Sequence, residues 1–254
     1  LQAAPPQILE LEAADNTVYR IASQCGPEHT CNTTIEKASA GSPDWYQLNA
    51  PSEIWDQILP VSPSTVYLRG TAASPAPQGS DLWRSTDGGA TWQHLPDPCE
   101  KLPQYPSGGH VIAMASVGSV VALACTSEQI APQQAGYGQY VTVSNDRGDS
   151  FGPLRPVPRL LGFDASSGID GIALPSASTI VVTGSEGGVQ TSFDGGRNWT
   201  TTLLQASSYT GGGPTEYSPP LGFETASVGH VLYPINTMWT TGDGGRSWSA
   251  YTFP

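Results

Sequence analysis

The chain has little positive charge. Its 254 residues include 10 Lys and Arg against 22 Asp and Glu, a net charge of −12, and only Lys37 and Lys101 are lysines. Sequence-independent binding to nucleic acid or to an anionic membrane surface needs a basic patch, so this balance excludes both. No stretch approaches the roughly 18 consecutive apolar residues of a membrane span. Cysteine is scarce: Cys25, Cys31, Cys99 and Cys125, with no C-x-x-C and no His at ligand spacing. A zinc site is therefore not expected. An even cysteine number in an acidic chain rich in Thr, Gly and Pro points to disulfides and an oxidising compartment, extracellular or periplasmic. Of the three pairings, Cys25–Cys31 and Cys99–Cys125 are favoured. The chain starts at Leu1, which fits a removed signal peptide.

Turn formers are abundant. Glycine (29) and proline (23) are spread along the whole chain rather than gathered in one tract. Such a distribution reads as many tight turns in one large all-β domain spanning 1–254.

A repeat organises those turns. STDGGATW (85–92), SNDRGDSF (144–151), SFDGGRNW (192–199) and TGDGGRSW (241–248) share Ser/Thr, any residue, Asp, any residue, Gly, two residues and an aromatic. A degraded copy, ASAGSPDW (38–45), keeps only the closing Trp. The closing aromatics Trp45, Trp92, Phe151, Trp199 and Trp248 follow at spacings of 47, 59, 48 and 49. The motif has a mechanical reason. Glycine supplies positive φ at a sharp reversal, and the Asp carboxylate accepts turn amides that no strand satisfies.

These residues resemble the Asp-box, or sialidase-type repeat, family. In that family the box sits between the third and fourth strands of each blade of a β-propeller. The resemblance implies that Asp87, Asp146, Asp194 and Asp243 are structural. It implies little about function, because sialidases, xyloglucanases, sorting receptors and photosystem assembly factors share the repeat. True sialidase activity is not expected. The family's Arg-Ile-Pro motif has only YRIAS (19–23) as a counterpart, and Arg84, Arg197 and Arg246 belong to or flank boxes.

Two apolar runs precede each box. They are 8–14 and 17–23, 54–61 and 65–70, 110–117 and 119–125, 169–176 and 179–184, and 222–228 and 230–236. Each reads as a strand pair, so each repeat predicts four antiparallel strands. The expected fold is a propeller of five such blades, with six as the alternative. Three long connections, 96–109, 152–168 and 205–220, lead from one blade to the inner strand of the next. Loops of that length are often functional.

Aligning the inner strands on Val18, Val66, Val120, Ile180 and Val231 gives a column ten residues earlier: Ile8, Asp56, His110, Asp170 and Leu221. Asp56, His110 and Asp170 are expected at an axial mouth, with Glu224 three residues inside it. They are the candidate catalytic groups, suited to acid–base chemistry on a sugar. No cofactor is expected, although a divalent cation at the axis fits the same carboxylates. Tyr105, Phe163, Tyr209 and Tyr217 in the long loops are candidate ligand platforms, and GGGPTEY (211–217) a candidate lid. The preferred function is a secreted, monomeric module that binds a carbohydrate or an extracellular protein. The alternative is a carbohydrate-active hydrolase or lyase.

Overall fold

The computed structural model describes residues 7–25, 31–51, 54–71, 80–103, 105, 108–127, 138–159, 168–184, 188–203, 220–232 and 237–253. Every regular element among them is a strand. Twenty strands form five four-stranded antiparallel sheets, the blades of a five-bladed β-propeller, each in simple up-and-down order. The chain falls into two compact units, Leu1–Asp97 and Pro98–Pro254.

The first unit holds two blades. Blade one comprises β1 (Gln7–Ala14), β2 (Thr17–Cys25), β3 (Cys31–Ser39) and β4 (Tyr46–Gln47). Blade two comprises β5 (Ile54–Pro60), β6 (Val66–Thr71), β7 (Ser80–Ser85) and β8 (Gln93–Leu95). Tyr19, Ile21, Ile35, Leu48, Trp55, Ile58, Val66 and Leu68 pack between them as one core. Fully burying an apolar side chain of this size stabilises by ~1.5–3 kcal/mol. The backbone of β2 and β3 sets Cys25 directly opposite Cys31. That register is the one the expected local disulfide requires, but the two side chains lie outside the described set.

The second unit holds three blades. Blade three comprises β9 (Gly109–Val117), β10 (Val120–Ser127), β11 (Gln139–Ser144) and β12 (Arg155–Pro156). Blade four comprises β13 (Ile169–Ser176), β14 (Thr179–Gly184), β15 (Val189–Ser192) and β16 (Thr200–Leu203). Blade five comprises β17 (Leu221–Phe223), β18 (Gly229–Leu232), β19 (Thr237–Thr241) and β20 (Ser249–Thr252). Blades three and four share a core around Ala122, Val141, Ile172 and Val182. Val181, Val189, Leu203 and Val231 join blade four to blade five. Cys99 and Cys125 form a disulfide, as expected, which ties the 96–109 connection to β10.

All four intact repeats sit between the third and fourth strands of their blades. In blade two, Ser85 Oγ donates to Asp87 Oδ1 (2.7 Å) and accepts Gly89 N–H (2.8 Å). Asp87 in turn accepts Thr91 N–H (2.8 Å) and the Thr91 hydroxyl (2.6 Å). Asp146, Asp194 and Asp243 repeat this scheme. These bonds favour the ionised carboxylate, so Asp87, Asp194 and Asp243 are pulled down to about 2. The second glycine also spaces the blades. A Cβ on Gly89, which stands at φ +91°, would lie 2.6 Å from Leu48 Cδ1 of the preceding blade. Within each unit, a residue of that preceding blade caps a box carbonyl: Lys37 on Gly88, Arg155 on Gly195 and Thr191 on Gly245.

Each box is also anchored to the first hairpin of its own blade. Gly88, Arg147, Gly195 and Gly244 donate their amides to Ser64, Ser119, Ser178 and Ser227. In the degraded copy Ala40 does the same to Asn16 (2.8 Å).

In blade five the expected strand pair forms, but its first strand is shorter than predicted. The 222–228 run ends as a strand at Phe223, and residues 224–228 form the turn. The Thr225 hydroxyl accepts the amides of Ser227 (3.3 Å) and Val228 (2.9 Å) and so competes with the ladder.

Candidate functional site

The five anchor bonds give a structural alignment of the blades. Counting two residues on from each accepting carbonyl places Val18, Val66, Val121, Ile180 and Gly229 in equivalent positions. The sequence alignment is therefore one residue out in blade three and two out in blade five. Ten residues earlier stand Ile8, Asp56, Val111, Asp170 and position 219, which lies outside the described residues. Asp56 and Asp170 keep equivalent places. His110 and Glu224 do not.

Strand pairing explains what is special there. Each of the first four inner strands carries a β-bulge, and the residues skipped by the ladder are Leu9, Asp56, Ile112 and Asp170. A bulge re-aims its side chain and often stands beside a site. Asp170 is half-buried in β13. His110 pairs across the ladder with Thr126, nearer the start of β9 than the bulge. Glu224 belongs to the β17–β18 turn, at the far end of its inner strand, where it pairs with His230 (3.1 Å).

In the first unit the Asp56 bulge faces polar company. The Arg69 guanidinium on β6 lies 3.2 Å from Asp56 Oδ1, with the two side chains 16% and 35% exposed. Glu10, on β1 beside the equivalent bulge, accepts the amide of Ile58 on β5 and so bridges the two blades. Glu12 follows on the same strand, and Asp97, held by the Ser80 hydroxyl (2.6 Å), adds its field at Arg69.

The electrostatics follow from burial and from crowding Asp56, Glu10 and Asp97 around one guanidinium. Burial drives Glu10 up to about 8. The Ile58 amide and Arg69 oppose that rise, while Glu12 and Asp56 add to it. Burial also raises Glu12, and raises Asp56 against the pull of Arg69. Near neutral pH Glu10 therefore keeps its proton. One carboxylic acid, one carboxylate and one guanidinium stand together on β1, β5 and β6. That set can donate and accept hydrogen bonds to a polar ligand, or give and take a proton.

Glu10, Glu12 and Arg69 were not singled out from sequence. The signal was present: two glutamates alternate in ILELEAA, a run otherwise wholly apolar. Taking one position per blade hid them, because Glu10 lies two residues beyond Ile8, across the bulge.

Among the expected platforms, Tyr105 is a correction. It is 5% exposed, edge-on to Tyr140, and fills the notch left by Gly138. Its ring seats the loop on the blade and is closed to a ligand. Phe163, Tyr209, Tyr217 and the 211–217 segment lie outside the described residues. No group of three His, Cys, Asp or Glu side chains among the described residues is arranged to hold a metal ion. The described residues include no helix long and apolar enough to cross a membrane.

No protein-family model matches the chain, and no curated protein matches it. Solved structures do. A Penicillium chrysogenum α-L-arabinanase complexed with arabinobiose superposes with a TM-score of 0.58 at 12% identity, covering 95% of this chain and 79% of the enzyme. A Fusarium graminearum GH93 α-L-arabinofuranosidase, also with arabinobiose, gives 0.57 at 14%, covering 98% and 81%. YCF48 bound to a D1 peptide gives 0.52 at 11%, covering 96% of this chain and 66% of YCF48. The likeness is one of fold. It joins this chain to propellers that include glycoside hydrolases and a peptide-binding protein.

Proposed function

We propose that this chain is a secreted Asp-box propeller that binds a carbohydrate at the inner strands of blades one and two, through Glu10, Asp56 and Arg69. One observation carries the reading: β1, β5 and β6 bring a protonated carboxyl, a carboxylate and a guanidinium to one place. A few convergent polar groups of mixed donor and acceptor character suit sugar hydroxyls. Two of the similar propellers hold arabinobiose, which supports a carbohydrate as ligand. The shared hydrogen-bond scheme of the four boxes supports the Asp-box assignment. The Cys99–Cys125 disulfide is compatible with secretion. The module works as a monomer, without nucleic acid.

Glycan-array binding tests the reading. Wild type binds one class of glycan, and Asp56→Asn and Arg69→Gln each weaken that binding by about tenfold or more, as loss of a charge-assisted hydrogen bond implies. Absence of binding by wild type on a broad array overturns it.

A second reading rests on the Glu10 proton. A neutral carboxylic acid beside a carboxylate is the pairing a glycosidase uses to protonate a leaving group while the partner acts as base or nucleophile. Under this reading wild type releases reducing ends from a polysaccharide panel, and Glu10→Gln abolishes release yet still binds. Binding without turnover in wild type leaves the first reading standing and removes the second.

A further inference from the structure

Glu224, displaced from the inner-strand column, has its own setting in blade five. His230 on β18, Thr240 on β19 and Ser249 on β20 are successive cross-strand partners. Directly opposed residues of an antiparallel sheet project to the same face, so the three form one row. His230 Nδ1 stands 3.2 Å from Thr240 Oγ1, and His230 Nε2 stands 3.1 Å from Glu224 Oε1. A carboxylate only accepts, so Nε2 carries the proton and Nδ1 accepts from the Thr240 hydroxyl. Both ring nitrogens are thus engaged, one by an orienting acid and one by a hydroxyl. The His230 and Glu224 side chains are 31% and 69% exposed, so the row is open to solvent. Two residues along on the same face, Met238 pairs with Tyr251, which is edge-on to the exposed ring of Phe253. These side chains provide an apolar floor beside the polar row.

We propose that Thr240, His230 and Glu224 form an acyl-transfer site that hydrolyses esters of small apolar acids. The assignment stands on hydrogen-bond geometry alone, in a blade that carries none of Glu10, Asp56 or Arg69, and does not rest on the carbohydrate reading. Thr240 Oγ bonds to the ester carbonyl carbon while its proton passes to His230 Nδ1. The imidazolium is held by Glu224. The carbon–oxygen bond to the alcohol then breaks, and the departing oxygen takes the proton from His230. Water repeats the sequence on the Thr240 ester, its proton passing through His230, and releases the acid. The net reaction is ester plus water to acid plus alcohol. Thr240 and His230 are catalytic residues, and Glu224 is a positioning residue.

p-Nitrophenyl acetate is the probe. Wild type releases a burst of p-nitrophenol near one equivalent, and peptide mass spectrometry finds the acetyl group on Thr240. Thr240→Val and His230→Gln each lower turnover by about a hundredfold, within the range for loss of an acid–base partner. Glu224→Gln lowers turnover and moves the acid limb of the pH profile to lower pH, and Glu224→Asp restores both. His94→Gln, which removes a surface imidazole from blade two, leaves the rate unchanged. Thermal unfolding of each variant shows that the blade is intact. Thr240→Val as fast as wild type would mean free imidazole hydrolysis and overturns the proposal. So does acetylation confined to lysine, tyrosine or the amino terminus.

Discussion

Arg147 holds a left-handed backbone, φ 60°, at the box position where the other three intact copies carry glycine. That conformation costs a residue with a side chain about 1–2 kcal/mol, and glycine gives part of it back through its looser unfolded state. Arg147→Gly should therefore stabilise the second unit by about 0.5–1 kcal/mol, read as a higher urea midpoint. Ser192 has the opposite character. It is fully buried, and its hydroxyl both donates to Asp194 (2.9 Å) and accepts Gly196 N–H (2.7 Å). Ser192→Ala strands a buried amide and should cost about 1–3 kcal/mol in the same assay. The boxes were legible in sequence because their chemistry is local. Every partner of Asp194 described here lies within four residues of it.

At the scale of the strand, β1 shows where local reading fails. Glu10 acquires its properties from burial, and from Ile58 and Asp56 on β5 and Arg69 on β6, residues far along the chain. No pattern within QILELEAA announces them. The bulge compounds the difficulty, since it breaks the alternation by which faces are assigned. His110 and Glu224 were misplaced for a related reason. Val120 and Val231 were matched to Val18 on apolar character, whereas the turn carbonyls set the true register. The Glu10 environment has a measurable consequence. Its folded value, about 8, exceeds the ordinary 4.5, so the native state binds the proton more tightly. The sign is that of a raised acid: this contribution is intact below pH 4.5 and is lost as pH rises toward 8. Urea midpoints of wild type should fall across that window relative to those of Glu10→Gln. Parallel curves for the two proteins would show that Glu10 does not hold its proton in the folded state.

For the molecule as a whole, blade count and strand order followed from the spacing of the repeats, because one blade cannot bury its faces alone. The favoured pairing Cys99–Cys125 likewise shows which connection is fastened. Cys99 and Cys125 are both fully buried and are separated by 26 residues. Closing a loop of that size constrains the unfolded chain by ~3–4 kcal/mol. The double change Cys99→Ala, Cys125→Ala should lower the stability of the second unit by that order in equilibrium unfolding. The net charge of −12 acts at the same scale. Such an excess of negative charge repels polyanions, so the protein should pass a heparin column unretained at low salt.

The amide hydrogen bond from each box to the first hairpin of its own blade makes every blade a self-registering module. Duplicating such a segment copies its internal alignment with it, and no distant residue need co-evolve to keep the strands in phase. The inner strands are then free to diversify. The copy at 38–45 has lost its Asp and its second glycine, yet Ala40 still reaches Asn16. Combinatorial libraries built at the four bulge positions should therefore yield folded proteins at high frequency, which makes this scaffold a starting point for evolving new binding sites.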